Sequence, residues 1–343
     1  MNRLRPRRVI ASFALIGLLA LGALACNEDN PDHETVTVYS GRNQELIGPI
    51  LERFTEETGI PVEVRYGGTA EMAATILEEG ERGRWDIFIA QDGGALGAVQ
   101  NSGLFAQLDD ELLDRVSDGF RSDEGVWVGL SGRARVVAYN TDRIEPEADL
   151  PDSILDFTAP EWRGRIGWAP TNGSFQAWVT ALRVTLGEDA AREWLEGVRA
   201  NQPVEYPNNT SIVEAVAAGE VDVGFVNHYY LFNFLRERGD GFAARNHYTA
   251  PGDVGTLINV AGAGIYRDSD AADEATELLR YLLSEEGQTY FAEETFEYPV
   301  VAGVPSHADL ASLDELEPVD LDLSRLEDIE GTLALLRETG VLP

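Results

Sequence analysis

The sequence predicts an α/β fold in which a parallel sheet is covered by helices. Strand and helix patterns alternate along the body of the chain, and the strand patterns run into loops rich in Gly, Ser or Asn. The composition agrees: 343 residues, 44% hydrophobic, with 34 glycines, is a globular make-up long enough for two domains at roughly 100–200 residues each.

Residues 35–39 alternate as a strand does, and Ser40-Gly41 breaks the run. From Asn43 the apolar residues Leu46, Ile47, Ile50, Leu51 and Phe54 recur at helical spacing until Gly59. A second strand covers 61–66, and Gly67-Gly68-Thr69 leads into a helix through Met72, Ile76 and Leu77. Residues 86–90 form an apolar strand, followed by Gln91-Asp92-Gly93-Gly94 and a further helix. This βαβαβ order gives parallel strands, whose ligands bind beyond the carboxyl ends. The loops at those ends are 40–43, 67–71 and 91–94.

A second unit starts near 135–139. It holds a strand at 165–168, the turn Pro170-Thr171-Asn172-Gly173-Ser174, and helices at 175–186 and 189–200. Asn208-Asn209-Thr210 caps a helix reaching Ala218, 221–226 is a strand, and Asn227-His228-Tyr229-Tyr230 opens another helix. After Gly252 come a strand at 257–265 and helices at 270–283 and 285–294. The acidic segment 306–343 keeps helical spacing at Ile329, Leu333, Leu335 and Leu336, so it is expected to pack.

At the N-terminus, Arg3, Arg5, Arg7 and Arg8 precede an apolar run over 9–25. Basic residues, an apolar stretch and small residues before a cut describe a secretory signal, removed over 1–25. Cys26 is the only cysteine, follows Ala23-Leu24-Ala25 and precedes a polar stretch, which resembles a bacterial lipoprotein signal with Cys26 as the lipidated residue. Residues 26–34 would be a flexible tether, and the body would lie outside the cytoplasm.

The formal net charge is −34, and all 26 basic residues are arginine, since lysine is absent. Such a surface repels a phosphate backbone, which excludes a sequence-independent nucleic-acid binder, and it gives no basic patch for anionic lipid. It attracts cations, or simply keeps the protein soluble. Enzyme signatures are missing as well: no G-x-S-x-G elbow, no P-loop, no H-E-x-x-H and no paired cysteines.

Two loops carry chemistry. Thr171-Asn172-Gly173-Ser174 precedes a helix, and free N–H groups at a helix N-terminus bind anions, although Asn and Ser there also serve as plain caps. Asn227-His228-Tyr229-Tyr230 follows an apolar strand at its ligand-facing end. Adjacent tyrosines commonly pack, yet a phenolate is a hard donor whose high pKa a trivalent cation can offset.

At these loops the chain resembles the periplasmic ferric-iron-binding components of bacterial ABC importers. The resemblance runs through Thr37-Val38-Tyr39-Ser40-Gly41-Arg42, Tyr66-Gly67-Gly68-Thr69-Ala70-Glu71, Ala90-Gln91-Asp92 and Leu130-Ser131-Gly132-Arg133-Ala134-Arg135-Val136-Val137. It continues through Thr171-Asn172-Gly173-Ser174-Phe175, Asn227-His228-Tyr229-Tyr230, Gly262 and Phe296-Glu297-Tyr298-Pro299. It implies a two-lobed type II periplasmic-binding-protein fold, each lobe a mixed, mostly parallel sheet with helices on both faces. Lobe 1 would be 35–132 with 261–343 and lobe 2 would be 133–260, with hinges near 133–135 and 251–260.

The resemblance further implies Fe(3+) as transported ligand, with Tyr229 and Tyr230 as phenolate ligands. Asn172, Gly173 and Ser174, helped by Asn209 and Asn227, would hold a synergistic carbonate or phosphate. The family's ligand histidine and glutamate correspond to Asn43 and Gln91, so the shell must be completed otherwise. Candidates are Tyr39, Asp92, His228, water, or a bidentate anion held by Arg42 or Arg133. Tyr39 and the anion rank first because they supply hard anionic oxygens. Capture without catalysis, by a monomer, with delivery to an ABC permease driven by a cytoplasmic ATPase, follows from the same resemblance. A rival keeps the fold and binds a polyamine, a thiamine-like cation or an oxyanion; a catalytic or structural lipoprotein on this scaffold is a third reading.

Overall fold

The structure, a computed structural model, describes residues 33–343. The expected signal segment, Cys26 and the tether up to residue 32 lie outside the described residues. Among the described residues no helix is long and apolar enough to cross a membrane.

Three parallel strands begin the sheet: β1 (Val36–Ser40) lies between β2 (Val62–Tyr66) and β3 (Ile87–Ala90). Helices α1 (Gln44–Thr58) and α2 (Thr69–Glu79) make the crossovers, and α3 (Gly93–Asn101) and the short α4 (Asp110–Leu113) follow. The middle of the chain comprises β4 (Val128–Asn140), α5 (Pro146–Asp149), β5 (Ile166–Trp168), α6 (Gly173–Leu186) and α7 (Glu188–Ala200). Next come β6 (Val204–Glu205), α8 (Asn209–Ala218), β7 (Val223–Asn227), α9 (Tyr229–Arg238) and β8 (Ala244–His247). The chain ends with β9 (Ile258–Ile265), α10 (Ala272–Leu282), α11 (Glu285–Thr295), α12 (Leu313–Leu316) and α13 (Ile329–Glu338).

The strand order is β2-β1-β3-β9-β4-β7-β5-β6, with β8 also on β4. Pairing is parallel toward both ends of this path and antiparallel around β9 and β4. Strand β4 belongs to both halves. Val128 to Ala134 pair with β9, whereas Arg135 to Tyr139 pair with β7. The change of partner falls between Ala134 and Arg135.

Near the expected start of the second unit at 135–139 there is no break in the chain: one strand runs from Val128 to Asn140 and changes partner at 134–135. Its first half reads as a loop because of its glycines. Gly132 is needed there because the segment after α11 lies directly on it, where a Cβ would come 3.2 Å from that of Tyr298.

The last segment also packs, as its spacing predicts, but in two places. A 3₁₀ turn at Leu323–Glu327 rests on α3, where Gly93, Gly94 and Gly97 admit its backbone; a Cβ on Gly97 would sit 2.5 Å from the Ser324 carbonyl oxygen. Helix α13 instead lies against α6 and α7. Thr180 and Thr332 hydroxyls meet at 2.7 Å, and Arg192 reaches Glu338 at 2.7 Å. Residues 329–338, expected with the first lobe, thus pack on elements expected in the second.

Both halves are held by apolar burial. In the first, Val36, Val38, Ile47, Ile50, Phe54 and Phe88 are buried. In the second, Trp178, Trp194 and Phe225 interlock with ring centroids 5.2–5.8 Å apart beneath the loops of interest.

Candidate functional site

Strand β7 is apolar and buried to its end, and so delivers Asn227 and the start of α9 at the carboxyl edge of the sheet. There Tyr229 and Tyr230 stack, ring centroids 4.4 Å apart and inclined 28°. Tyr229 is 5% exposed. Burial, reinforced by Tyr230, holds its phenol well above the ordinary value, while the Arg133 charge pulls the other way. Without a strong positive charge close by, this hydroxyl stays protonated at neutral pH.

The second loop converges on the same place. Asn172 caps α6, its Oδ1 accepting from Ser174 N at 3.0 Å and from Ser174 Oγ at 2.6 Å. Asn209, the first residue of α8, donates its Nδ2 to Ser174 Oγ at 3.2 Å. Gly173, the first residue of α6, is exposed, with open space where a Cβ would be. The tertiary fold thus joins Asn172, Ser174, Asn209 and Asn227 in one polar cluster, with Gly173 at its edge.

The hub of that cluster was not among the expected site residues. Arg135 donates from Nη1 to Asn227 Oδ1 at 3.0 Å, Ser174 Oγ at 3.3 Å and Asn209 Oδ1 at 3.4 Å. Its guanidinium lies 4.9 Å from the Trp178 ring centroid. Burial pushes its pKa down to about 9, against the opposing influence of Tyr230 and Tyr229. It remains a cation at neutral pH. A signal for it existed: Arg133 and Arg135 stand two apart, hence on one face, in a strand otherwise free of charge.

Arg133 faces the first half of the chain. Its Nη1 donates to Gln91 Oε1 at 3.4 Å, and Gln91 Nε2 donates to the Gly41 carbonyl at 2.8 Å. Asp92 caps α3, accepting from Ala95 N at 2.9 Å. Burial raises its pKa, and Arg133 partly offsets that. The 40–43 and 91–94 loops therefore meet Arg133, whose charge also reaches Tyr229. Asn43 is exposed at the N-terminus of α1.

Three expected residues are engaged elsewhere. The Tyr39 hydroxyl donates to Glu79 at 3.3 Å and accepts from Arg65 at 3.3 Å, on the neighbouring strand. Its neighbours are thus β2 and the end of α2, because alternation along β1 turns it away from its neighbour Ser40. Arg42 is not free to hold an anion through its terminal nitrogens: Nη1 donates to Ser131 at 3.0 Å and Nη2 to Glu297 at 2.8 Å. His228 has both ring nitrogens bonded. Nδ1 accepts from Ala134 N at 3.1 Å, which leaves Nε2–H to donate to the Phe296 carbonyl at 2.7 Å. Burial pushes its pKa down to about 4, so the ring is neutral and structural.

Among the described residues no three His, Cys, Asp or Glu side chains are grouped to hold a metal.

The family model for bacterial extracellular solute-binding proteins matches residues 84–321. The Fe(3+)-binding periplasmic protein of Serratia marcescens is 31% identical over 335 residues, covering 97% of each chain. Iron-bound HitA from Pseudomonas aeruginosa superposes with a TM-score of 0.83 at 35% identity, over 89% of this chain and 99% of that one. The Trichodesmium protein IdiA (FutA), solved with iron and citrate ligands, gives 0.79 at 27% identity, over 90% and 99%. The fold is accordingly the two-lobed type II periplasmic-binding-protein fold, and the relatives are solute-binding transport proteins, not enzymes. With a tyrosine pair and a cluster of polar side chains gathered at the strand ends of that fold, the chain belongs to the bacterial extracellular solute-binding protein family.

Proposed function

We propose that this protein is the extracytoplasmic binding component of an ABC importer that captures ferric iron together with a small oxyanion. The observation that carries the reading is the stacked Tyr229–Tyr230 pair beside the cluster of Asn172, Ser174, Asn209, Asn227 and Arg135. Phenolate is a hard oxygen donor suited to a trivalent cation, and the cation supplies the charge that draws the phenol protons off. The names of the relatives support iron as the ligand.

Capture would proceed by closure of lobe 1 (35–132 and 261–343, apart from α13) over lobe 2 (133–260). The bending points would be where β4 changes partner at 134–135 and where the chain returns at 251–260. Arg133 and Gln91 would meet across that closure. Carbonate or phosphate would complete the iron shell. A cleaved signal over 1–25 and a lipid on Cys26 would hold a monomer at the outer face of the cytoplasmic membrane, where a permease with its cytoplasmic ATPase would receive the iron.

The deciding experiment loads the protein with ferric citrate, removes excess by desalting and records the visible spectrum. An orange or red phenolate-to-iron band, absent in both Tyr229→Phe and Tyr230→Phe, is the expected result. A colourless protein that retains no iron would overturn the ferric reading.

A further inference from the structure

Near its C-terminal end the chain passes once more between the proposed lobes, and this passage has no slack. Its first part, the 3₁₀ turn Leu323–Glu327, is seated on α3. There its backbone lies in the cradle of Gly93, Gly94 and Gly97, and Asn101 Nδ2 donates to Glu327 Oε2 at 2.7 Å. Its second part, α13, is seated on α6 and α7 through the Thr180–Thr332 and Arg192–Glu338 contacts. Both seats are built like core. Leu323 and Leu326 are buried in the first, Leu335 and Leu336 in the second, so neither part can lift off without exposing two leucines. Only Asp328 stands between them.

That one residue is itself clamped. Arg183 on α6 donates from Nη1 to the Asp328 carbonyl at 3.0 Å and from Nη2 to its carboxylate at 2.9 Å. The other oxygen of the carboxylate caps α13, accepting from Gly331 N at 2.9 Å. Arg183 is fixed in turn by Glu188, 2.7 Å from its Nε, and by the Thr332 hydroxyl at 2.9 Å. A single guanidinium therefore holds both the backbone and the side chain of the joint.

The two helices that carry the seats are also the ones that follow the site loops. Helix α3 starts directly after Gln91-Asp92, and α6 directly after Asn172. Hinge closure moves such loops against each other as parts of rigid lobes. A connection seated on both helices, with one clamped residue between its seats, must resist that movement.

We infer that residues 323–338 form a brace between the lobes, jointed at Asp328 and stiffened by Arg183, which restrains how far the cleft swings. The inference rests on the proposed division into two lobes that close on a ligand, and not on the identity of that ligand. It makes retention of the ligand depend on a contact about three turns along α6 from the Asn172 cap.

The test reads the swing in metal-free protein. With Cys26→Ser in place, nitroxide labels are attached at Glu78→Cys on α2 and Glu237→Cys on α9, both exposed, and pulsed electron double resonance records their distance distribution. A Gly-Ser-Gly-Ser insertion between Glu327 and Asp328 keeps both seats, adds up to about 13 Å of reach, and is expected to widen the distribution about twofold. Arg183→Gln frees the joint without lengthening it and should give an intermediate width. Arg143→Gln removes a comparable ion pair, 3.0 Å from Asp222, that does not touch the brace, and should leave the width as in wild type.

A second label pair, Glu56→Cys with Glu78→Cys, lies within lobe 1 and should stay equally narrow in every variant. Widening of that pair would mean local unfolding. An interlobe width equal to wild type in the insertion variant would mean a segment that packs without restraining. Either result overturns the inference. If the insertion variant does not fold, the double variant Arg183→Gln, Asp328→Asn is judged by the same criterion. A protein that takes up no iron would overturn the ferric reading and leave these distances, and the brace, unaffected.

Discussion

Arg42 and Glu297 form an ion pair of 2.8 Å with both side chains 1% exposed, and it ties the loop after β1 to the segment after α11. Ser131 on β4 donates to the same carboxylate at 2.7 Å. Three chain segments that are far apart in sequence are thus locked together at the base of the candidate cleft.

Breaking that pair from one side leaves a buried charge without a partner. Glu297→Gln is expected to destabilise the protein by roughly 3–5 kcal/mol, read as a lower denaturation midpoint. Burial opposes ionisation of Glu297, but Arg42, Arg133 and Ser131 outweigh it and hold its pKa below the usual value. A carboxyl lowered on folding contributes stability above its unfolded pKa, near 4.3, and loses it as the pH falls further. Wild-type melting temperature should therefore drop below about pH 4.3, and Glu297→Gln should lack this part of the acid sensitivity. A midpoint unchanged by the substitution would show that the pair is dispensable.

His228 bridges Ala134 at the partner change of β4 and Phe296 beyond α11, which engages both its ring nitrogens, and it is expected to act on stability. His228→Leu strands one buried N–H and one buried carbonyl, a loss on the order of 2–5 kcal/mol. Iron-loaded His228→Gln should keep the visible band at the wild-type wavelength. A shift of that wavelength would place the imidazole in the iron shell.

Tyr39, whose hydroxyl is taken by Glu79 and Arg65, should be silent in iron binding. Tyr39→Phe is expected to retain the full band intensity per bound iron, in contrast to Tyr229→Phe. A loss of intensity comparable to that in Tyr229→Phe would mean that β1 rearranges on closure.

Burial keeps the Tyr229 phenol protonated in the metal-free protein, so iron must displace its proton. Loading at neutral pH should release protons, up to one from each of Tyr229 and Tyr230. Apparent affinity should fall as the pH is lowered, because protons then compete with the metal. A pH-stat during loading counts them, and proton release equal in wild type and in the Tyr229→Phe, Tyr230→Phe double variant would refute phenolate coordination.

Much of this protein is written in local sequence. The period-two run into Ser40, the helical spacing from Leu46 to Phe54 and the caps at Asn172 and Asn208 depend only on near neighbours, and the elements form close to where those signals stand. The convergence of the Asn227–Tyr230 and Thr171–Ser174 loops was legible for the same reason: each follows an apolar strand, and loops after such strands gather at one edge of the sheet.

What the sequence left open depends on contacts between distant segments. Whether Tyr39 faces the cleft turns on side-chain alternation relative to the position of α2. Which of Arg42 and Arg135 has a carboxylate partner among the described residues turns on Glu297, which lies 255 residues from Arg42 and pairs with it alone of the two. Glycine-rich residues 129–132 form a strand through pairing with β9, more than a hundred residues on, and through the Tyr298 segment that lies on Gly132. Side-chain chemistry and local periodicity are properties of neighbours along the chain. The distribution of buried charge among three arginines is a property of the assembled core, and only the tertiary structure decided it.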